Sequence, residues 1–212
     1  MVEAIHTRAS LREGFDRRPV PADVIERILR CGLAAPSSKN AEPWQFHVVD
    51  DPPTLAGLAD AVQHAKDADR YVPFDPVGGR RHTRWPSTVA QSAAVLRAAP
   101  LGLFVENRGP FGGGRRGLVA SRGAHLEAAA VGYTFEVLSL GAAIQNLWLG
   151  ATGEGLAGVF MGDVVIAEET IRRELRMRGD LVGVLALGYP RVRPTPRMPS
   201  LDRVTRHVFA TA

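Results

Sequence analysis

Short runs of apolar residues, bounded by polar residues, glycine or proline, predict four β-strands in this sequence. Residues 44–50 combine β-branched and aromatic side chains, and residues 99–107 and 155–162 are similar. Residues 180–190 are apolar almost without interruption, which is typical of a strand at the centre of a sheet. We therefore expect one sheet whose central strand lies near the end of the sequence.

Three other segments place apolar residues three or four positions apart, which predicts amphipathic helices. They begin near Pro21, Thr54 and Ala167. Pro21 suits the first turn of the first helix, and Glu168 and Glu169 suit the first turn of the last, where the helix dipole favours acidic side chains.

The longest helical pattern covers residues 123–152 and is rich in alanine and leucine. Polar residues are sparse along it, so we expect this helix to be buried on most sides. Gly132, Gly141 and Gly150 lower its intrinsic helix propensity. Close approach of neighbouring segments usually compensates for such glycines, and we expect it here.

Between these elements the pattern is irregular, above all in residues 70–90 and 108–117. Both stretches are rich in glycine, proline and arginine, which predicts long loops. Helices and strands alternate without a regular βαβ rhythm, so the sequence indicates an α+β fold in a single domain over residues 1–212. Residues 65–125 are expected to form a variable wall or lid of a substrate site, with Trp85 and Phe74 as candidate stacking residues.

Composition and charge exclude some classes of function. Hydrophobic residues make up 45% of the 212 residues and charged residues 23%, which is typical of a globular protein. The net charge is +4, but the densest basic cluster, residues 78–85, is short and flanked by glycine. We therefore expect no nucleic-acid partner. No apolar run approaches a membrane span and no signal peptide is evident, so we expect a cytoplasmic protein without a membrane partner.

Cysteine and histidine offer no chemistry of their own in this sequence. Cys31 is the only cysteine, which excludes an intramolecular disulfide, and we expect it to be a small buried apolar residue. The six histidines show no spacing typical of metal ligands, so no metal is expected.

Three separated segments share hydrogen-bonding side chains that suit an anion or a polyhydroxy chain. The first, "RASLR", places Arg8, Ser10 and Arg12 on one face of an extended segment. The second, "APSSKNAEPW" at residues 35–44, carries two serines and an asparagine, and the third is the tail around Arg197. A segment of this kind taken singly is more often a solvated surface feature than a binding site.

Taken together and in this order, the motifs resemble the FMN-dependent nitroreductase family. The resemblance rests on "RASLR", "RPVPADVIERIL", "APSSKNAEPWQF", "GLAGVF", "ALGYP" and "PRMPSL". It covers residues 1–50 and 133–204 and hardly touches 65–125. It implies a central, mostly antiparallel sheet flanked by helices, with an extended C-terminal tail that crosses to the partner subunit of a homodimer.

The resemblance also implies which residues contact FMN. The arginines of the first segment and Arg197 correspond to phosphate contacts, and Arg12, the third of the three contact residues in that segment, also corresponds to one that approaches the isoalloxazine ring. The turn after the first helix corresponds to contacts from the partner subunit. Residues at the start of the third strand correspond to backbone that faces the flavin ring. The implied cofactor-binding residues are Arg8, Ser10, Arg12, Pro36, Ser37, Ser38, Asn40, Leu156, Ala157, Gly158 and Arg197.

Two positions depart from the family pattern. Glu42 replaces the usual glutamine before Pro-Trp, and Ala157 replaces the second glycine of a Gly-Leu-Gly run. Glu42 adds a negative charge near an expected anion site, which would weaken binding or pair with a nearby arginine.

The function implied by the resemblance is ping-pong reduction of nitroaromatics, quinones or similar electrophiles, with NADH or NADPH as electron donor. FMN carries the redox chemistry, so no catalytic acid or base is expected of the protein. The alternatives are a dehydrogenase, dehalogenase or flavin-cleaving enzyme of the same fold, and a flavin-binding protein without turnover.

Overall fold

A computed structural model of the chain describes residues 2–71, 78–80 and 85–196. Within these residues it contains a four-stranded sheet in the order β1-β2-β4-β3, and all neighbouring strands are antiparallel. The strands are β1 (Trp44–Val49), β2 (Leu101–Asn107), β3 (Ala157–Met161) and β4 (Asp180–Gly188). The four strands predicted from the sequence, and the antiparallel sheet, are therefore confirmed.

The described helices pack on both faces of this sheet. They are α1 (Val2–Thr7), α2 (Ala22–Leu33), α3 (Pro52–Gln63), α4 (Val89–Ala98), α5 (Gly114–Ala120), α6 (Ala124–Gly153) and α7 (Glu168–Glu174), with short 3₁₀ turns at Ser38–Asn40, Ala68–Arg70 and Asp163–Ala167. Helices flanking one antiparallel sheet confirm the predicted α+β class. The predicted crossing of the tail falls on residues 197–212, outside the described residues.

Alternation along β2 sorts its side chains between the two helical layers. Leu101 and Leu103 pack with α2 and α6, and Val105 belongs to the same side. Phe104 packs with α3, α4 and α7 on the other side. Because β2 lies between β1 and β4 and is covered on both faces, all seven of its residues are buried.

Three helices were not predicted from the sequence. Helix α1 is six residues long and buries none of them, and its two large apolar residues, Val2 and Ile5, are too few to show a helical period. Helix α4 follows the irregular stretch and was missed with it. Helix α5 overlaps the end of residues 108–117, which we expected to be a loop throughout, and it starts after Gly113 in the left-handed conformation.

Two expectations about burial were wrong. The single cysteine, Cys31, is exposed, because it lies at the edge of the contact between α2 and α6 rather than among Val24, Ile25 and Ile28. Helix α6 is buried along only part of its surface in one chain, and several of its large apolar side chains are exposed.

Two of the three glycines of α6 lie close to a neighbouring segment, as predicted. A Cβ on Gly132 would lie 3.2 Å from the backbone of Phe111, and one on Gly150 would lie 2.9 Å from the Cys31 sulfur. Both glycines therefore permit close approach of a neighbouring segment. A Cβ on Gly141 would meet no described atom within 4 Å, so this glycine faces open space in one chain.

Candidate functional site

The N-terminal segment, residues 8–12, lies directly beside the start of β3. Ser10 forms a parallel bridge with Gly158, and the Leu11 amide donates to the Gly158 carbonyl at 2.9 Å. Leu11 is buried in the core, so its side chain anchors the segment while the residues on either side face outward. The fold thus joins two of the predicted site segments, residues 8–12 and 156–158.

Arg8 is positioned by an aromatic residue that the sequence did not reveal. Its guanidinium lies 4.6 Å from the ring centroid of Trp148 on α6, a typical cation–π distance. The indole Nε1 of Trp148 is buried and has no hydrogen-bond partner among the described residues. A buried donor without an acceptor carries a free-energy cost, so a ligand oxygen at this position would be stabilised. Arg12 is exposed on the same segment.

Gly158 lies in close contact with the neighbouring strand β4. A Cβ at this position would lie 1.9 Å from the Ala186 carbonyl oxygen of β4, so only glycine fits. Ala157 is accommodated at 8% exposure, although it departs from the family pattern. The departure at Ala157 is therefore compatible with the strand geometry.

The chain after β4 returns to the same place. The Asp16 amide donates to the Tyr189 carbonyl at 2.8 Å, and the Arg191 amide donates to the Gly14 carbonyl at 2.9 Å. A cavity of about 210 Å³ lies here, and its lining includes Thr7, Ala157 and Arg193.

Arg193 is a further candidate site residue that the motifs did not indicate. It lies in the proline-rich tail, where attention fell on Arg197, and Arg197 lies outside the described residues. The signal was a second arginine flanked by proline in "RVRP". Pro194 and Pro196 also line the cavity, so the tail approaches the site up to the last described residue.

The turn at residues 36–40 has a well-defined local structure. The Ser37 hydroxyl accepts a hydrogen bond from the Glu42 amide at 3.0 Å, and Asn40 adopts a left-handed conformation with φ 55°. The Ser38 amide donates to the Ser139 hydroxyl of α6 at 3.2 Å. Within the described residues the Glu42 carboxylate forms no ion pair, so the expected pairing with an arginine is not seen.

Within a single chain, the turn at residues 36–40 does not lie beside the N-terminal segment, residues 8–12. The turn contacts α6 at Ser139, whereas Arg8 contacts α6 at Trp148. These two positions are separated by about 13 Å along the axis of a regular helix. The four residues Pro36, Ser37, Ser38 and Asn40 are thus held together but apart from residues 8–12.

Beside this turn, α6 exposes apolar side chains. Leu138 is 66% exposed and Phe135 40%, and both line a shallow groove with Pro36 and Ser38. Val131 and Leu126 are exposed further along the same helix. An apolar surface of this kind on a globular protein commonly marks an interaction site.

Among the described residues, α6 is long and apolar enough to cross a membrane by length and composition alone. This differs from the expectation that no apolar run approaches a membrane span. The core helix of a soluble protein meets the same criterion, and a third of the most apolar window of α6 is buried in this fold.

The region expected to form the substrate wall contributes Arg115 to a smaller cavity of about 200 Å³, which Tyr133 and Val137 also line. Burial raises the pKa of the Tyr133 phenol, and Arg115 opposes that rise. The pKa of Tyr71 is raised for the same reason, with Arg115 again opposing it. Both phenols therefore remain protonated donors at neutral pH.

Of the two candidate stacking residues in this region, the structure describes only Trp85. Trp85 is 50% exposed, and Phe74 lies outside the described residues. Across the described part of the chain, no group of three histidine, cysteine, aspartate or glutamate residues is arranged to hold a metal ion.

The sequence is similar to a known protein family and to characterised enzymes. The sequence matches the model of the nitroreductase family over residues 5–189. Chloronitrobenzene nitroreductase of Comamonas testosteroni is 26% identical over 214 aligned positions, covering 94% of this chain and 91% of that protein. Iodotyrosine deiodinase of Haliscomenobacter hydrossis is 33% identical over 78 positions, covering 37% of this chain but only 32% of that enzyme.

A solved structure has the same overall fold. The NADPH:FMN oxidoreductase from Vibrio harveyi, complexed with NAD⁺, superposes with a TM-score of 0.67 at 19% identity. The superposition covers 100% of this chain and 78% of that one. At this identity the likeness shows the fold alone, whereas the family match concerns the sequence over most of the chain.

Proposed function

The chain is an oxidoreductase of the nitroreductase family, and we propose that it binds FMN and uses NADH or NADPH to reduce nitroaromatics, quinones or similar electrophiles. The Vibrio harveyi neighbour, a NADPH:FMN oxidoreductase complexed with NAD⁺, supports this choice of cofactor and electron donor. The observation that carries the proposal is the bridge between Ser10 and Gly158, because it joins the N-terminal segment to the start of β3.

The residues at this junction fit FMN. A phosphate dianion suits the guanidinium groups of Arg8 and Arg12, which donate in a planar fork. The buried indole N–H of Trp148 lies beside Arg8 and lacks an acceptor among the described residues. Arg193 adds a further positive charge to the adjoining cavity.

The protein's task in this reaction is binding and orientation. We assign phosphate binding to Arg8 and Arg12, with Arg197 as a further candidate, and hydrogen bonding to the ligand's polar groups to Ser10. Leu156 and Ala157 supply backbone that faces the ring, and Gly158 lets the strand approach closely. When bound, FMN supplies ping-pong hydride transfer from the nicotinamide to the electrophile.

The second half of each site comes, in this proposal, from a second copy of the chain. Residues Pro36, Ser37, Ser38 and Asn40 are separated from Arg8 along α6, and the apolar surface beside them is exposed in one chain. A two-fold homodimer covers that surface and brings the turn of each copy to the other copy's N-terminal segment. The resemblance implies that the tail also crosses to the partner, and residues 197–212 lie outside the described part of the chain.

Dehalogenation is the alternative that a specific observation favours. Iodotyrosine deiodinase is 33% identical to this chain over its matched region, whereas the nitroreductase of Comamonas testosteroni matches over nearly the whole length. Assays with a chloronitroarene and an iodophenol, each with NADH and with NADPH, distinguish the two reactions. FMN binding without NAD(P)H oxidation would indicate a flavin-binding protein without turnover.

Comparison of FMN with riboflavin tests the proposed site. We expect FMN to bind at least about a hundredfold more tightly, because two charge-assisted phosphate contacts each contribute about 1.5–3 kcal/mol. The double variant Arg8→Ala/Arg12→Ala should lose most of this preference. Arg30→Ala is the control, since Arg30 pairs with Glu26 on the outside of α2. Equal affinity of the unmodified protein for FMN and riboflavin would contradict the phosphate assignment.

A further inference from the structure

A second cleft, which shares no lining residue with the proposed flavin site, lies at the other end of the sheet from residues 8–12 and 156–158. It has a volume of about 540 Å³ and opens where β2 ends and β4 begins. Four of its lining residues are arginines, namely Arg108, Arg116, Arg176 and Arg178. We define these residues as the arginine cleft.

The arginine cleft is separate from the N-terminal segment. Asp180 of β4 pairs with Asn107 at the cleft, whereas Gly188 pairs with Ala157 at the flavin site. Eight residues of extended strand separate these ends, which corresponds to about 27 Å. A ligand in the cleft would therefore not contact Arg8 or Ser10 of the same chain.

The floor of the cleft is a fixed polar network. Glu106 is only 4% exposed, and its carboxylate accepts a hydrogen bond from the Arg178 amide at 2.9 Å and another from the Gly179 amide. Its second oxygen lies 2.6 Å from His47 Nε2. Within the described residues, the one carboxylate in the lining thus forms no ion pair with an arginine, and its single negative charge leaves the positive charge of the four arginines in excess.

The walls present donors with few partners of their own. Arg116 is held in place, because its Nε donates to Asp180 at 2.7 Å and its Nη2 donates to the Arg178 carbonyl at 2.7 Å. Within the described part of the chain, the guanidinium groups of Arg108, Arg176 and Arg178 form no hydrogen bond or ion pair. These three guanidinium groups therefore surround a concave space with a fixed floor and have hydrogen-bond donors available for a ligand.

We propose that the arginine cleft binds a small anion carrying at least two phosphate groups. Guanidinium groups match phosphate oxygens in paired hydrogen bonds, and the three without partners of their own favour a ligand of higher negative charge than a single phosphate. The volume also accommodates more than one phosphate group. Inorganic pyrophosphate and a nucleoside diphosphate share this chemistry, and the concave shape favours either over an extended nucleic-acid strand.

Titration calorimetry of the FMN-loaded protein tests this proposal. We expect pyrophosphate or adenosine diphosphate to bind, and orthophosphate to bind at least about tenfold more weakly. Tighter binding of adenosine diphosphate than of pyrophosphate would identify a nucleotide site, and the reverse would identify a site for free diphosphate. In either case added salt weakens binding, since the contacts are ionic.

Two double variants, each of which removes two positive charges, make the test specific. Arg176→Gln/Arg178→Gln should weaken binding of the preferred ligand by about tenfold or more, while the FMN absorbance stays unchanged. Arg30→Gln/Arg173→Gln removes the same charge from exposed positions outside the cleft and should leave binding nearly unchanged. The proposal is overturned if neither diphosphate binds, if both double variants weaken binding equally, or if only a single-stranded oligonucleotide binds.

Discussion

The two halves of helix α6 differ in what covers them. In the C-terminal half, Leu147 and Ala151 are fully buried against α2 and the sheet. In the N-terminal half, Leu138 and Phe135 remain 66% and 40% exposed. The same apolar helix is therefore covered by its own chain in its C-terminal half and exposed in its N-terminal half.

The difference between the two halves shows what a single chain lacks. A Cβ on Gly32 of α2 would lie 2.5 Å from the Leu147 side chain, so α2 is shaped to receive this leucine. No described segment of the chain covers Leu138 in the same way. The open half lies beside the turn at residues 36–40, and we therefore assign its covering to a second copy of the chain.

The largest effect is expected in the covered half. Leu147→Ala should lower the free energy of unfolding by about 3 kcal/mol, because it leaves a cavity between α2 and α6. Leu138→Ala is the matched change in the open half. Chemical denaturation at one fixed protein concentration measures both, and a larger loss from Leu138→Ala would reverse the comparison.

A charge in the open half should affect assembly. Leu138→Glu places a carboxylate in the proposed interface, and we expect the dimer to dissociate at least about tenfold more readily, or about 1.4 kcal/mol. Sedimentation velocity over a dilution series measures this change. Leu33→Glu, at another exposed apolar position on α2, is the control. An unchanged dimer in Leu138→Glu would place the interface elsewhere.

The smallest effect concerns the ion pair that fastens the covered half to α2. Arg27 donates to both carboxylate oxygens of Glu154, at 2.8 and 2.9 Å, and this contact holds the pKa of Glu154 below its usual 4.5. A lowered pKa stabilises the fold above pH 4.5, and the contribution disappears as the pH falls below that value.

The melting temperature of Glu154→Gln should therefore lie slightly below that of the unmodified protein at neutral pH and approach it under acid conditions. Glu26→Gln removes an equivalent charge from a pair within α2 alone and serves as the control. A difference that stays constant from neutral pH to about pH 3 would exclude the proposed contribution.

The sequence predicted those elements whose own residues show a regular spacing of apolar positions. The strands and α2, α3, α6 and α7 have apolar positions at regular spacing, and the structure contains all of them. Helix α4 buries Val89, Ala93 and Leu96 at positions i, i+4 and i+7, so it was also detectable, although the irregular stretch before it concealed the pattern.

Other features depend on partners distant in sequence. The start of α5 is held by the Asp180 carboxylate, which accepts from the Arg115 amide at 2.5 Å across 65 positions of sequence. The contact of Arg8 with Trp148 likewise exists only once α6 is folded. The motifs therefore indicated residues 8–12 and 156–158, which lie side by side in the structure, but they did not reveal Trp148 or the arginine cleft.

The central claim is that two copies of the chain share each FMN site, and complementation between variants tests it most directly. Arg8→Ala and Asn40→Ala should each abolish FMN binding. After the two variants are unfolded and refolded together, about half of the dimers are mixed. Each mixed dimer then contains one site with both substitutions and one intact site.

We predict that roughly a quarter of the FMN binding of the unmodified protein returns in the refolded mixture. Flavin absorbance after removal of free FMN measures this recovery, and differently tagged chains confirm that mixed dimers form. No recovery despite confirmed mixed dimers would contradict the shared site, because each chain would then build its flavin site alone.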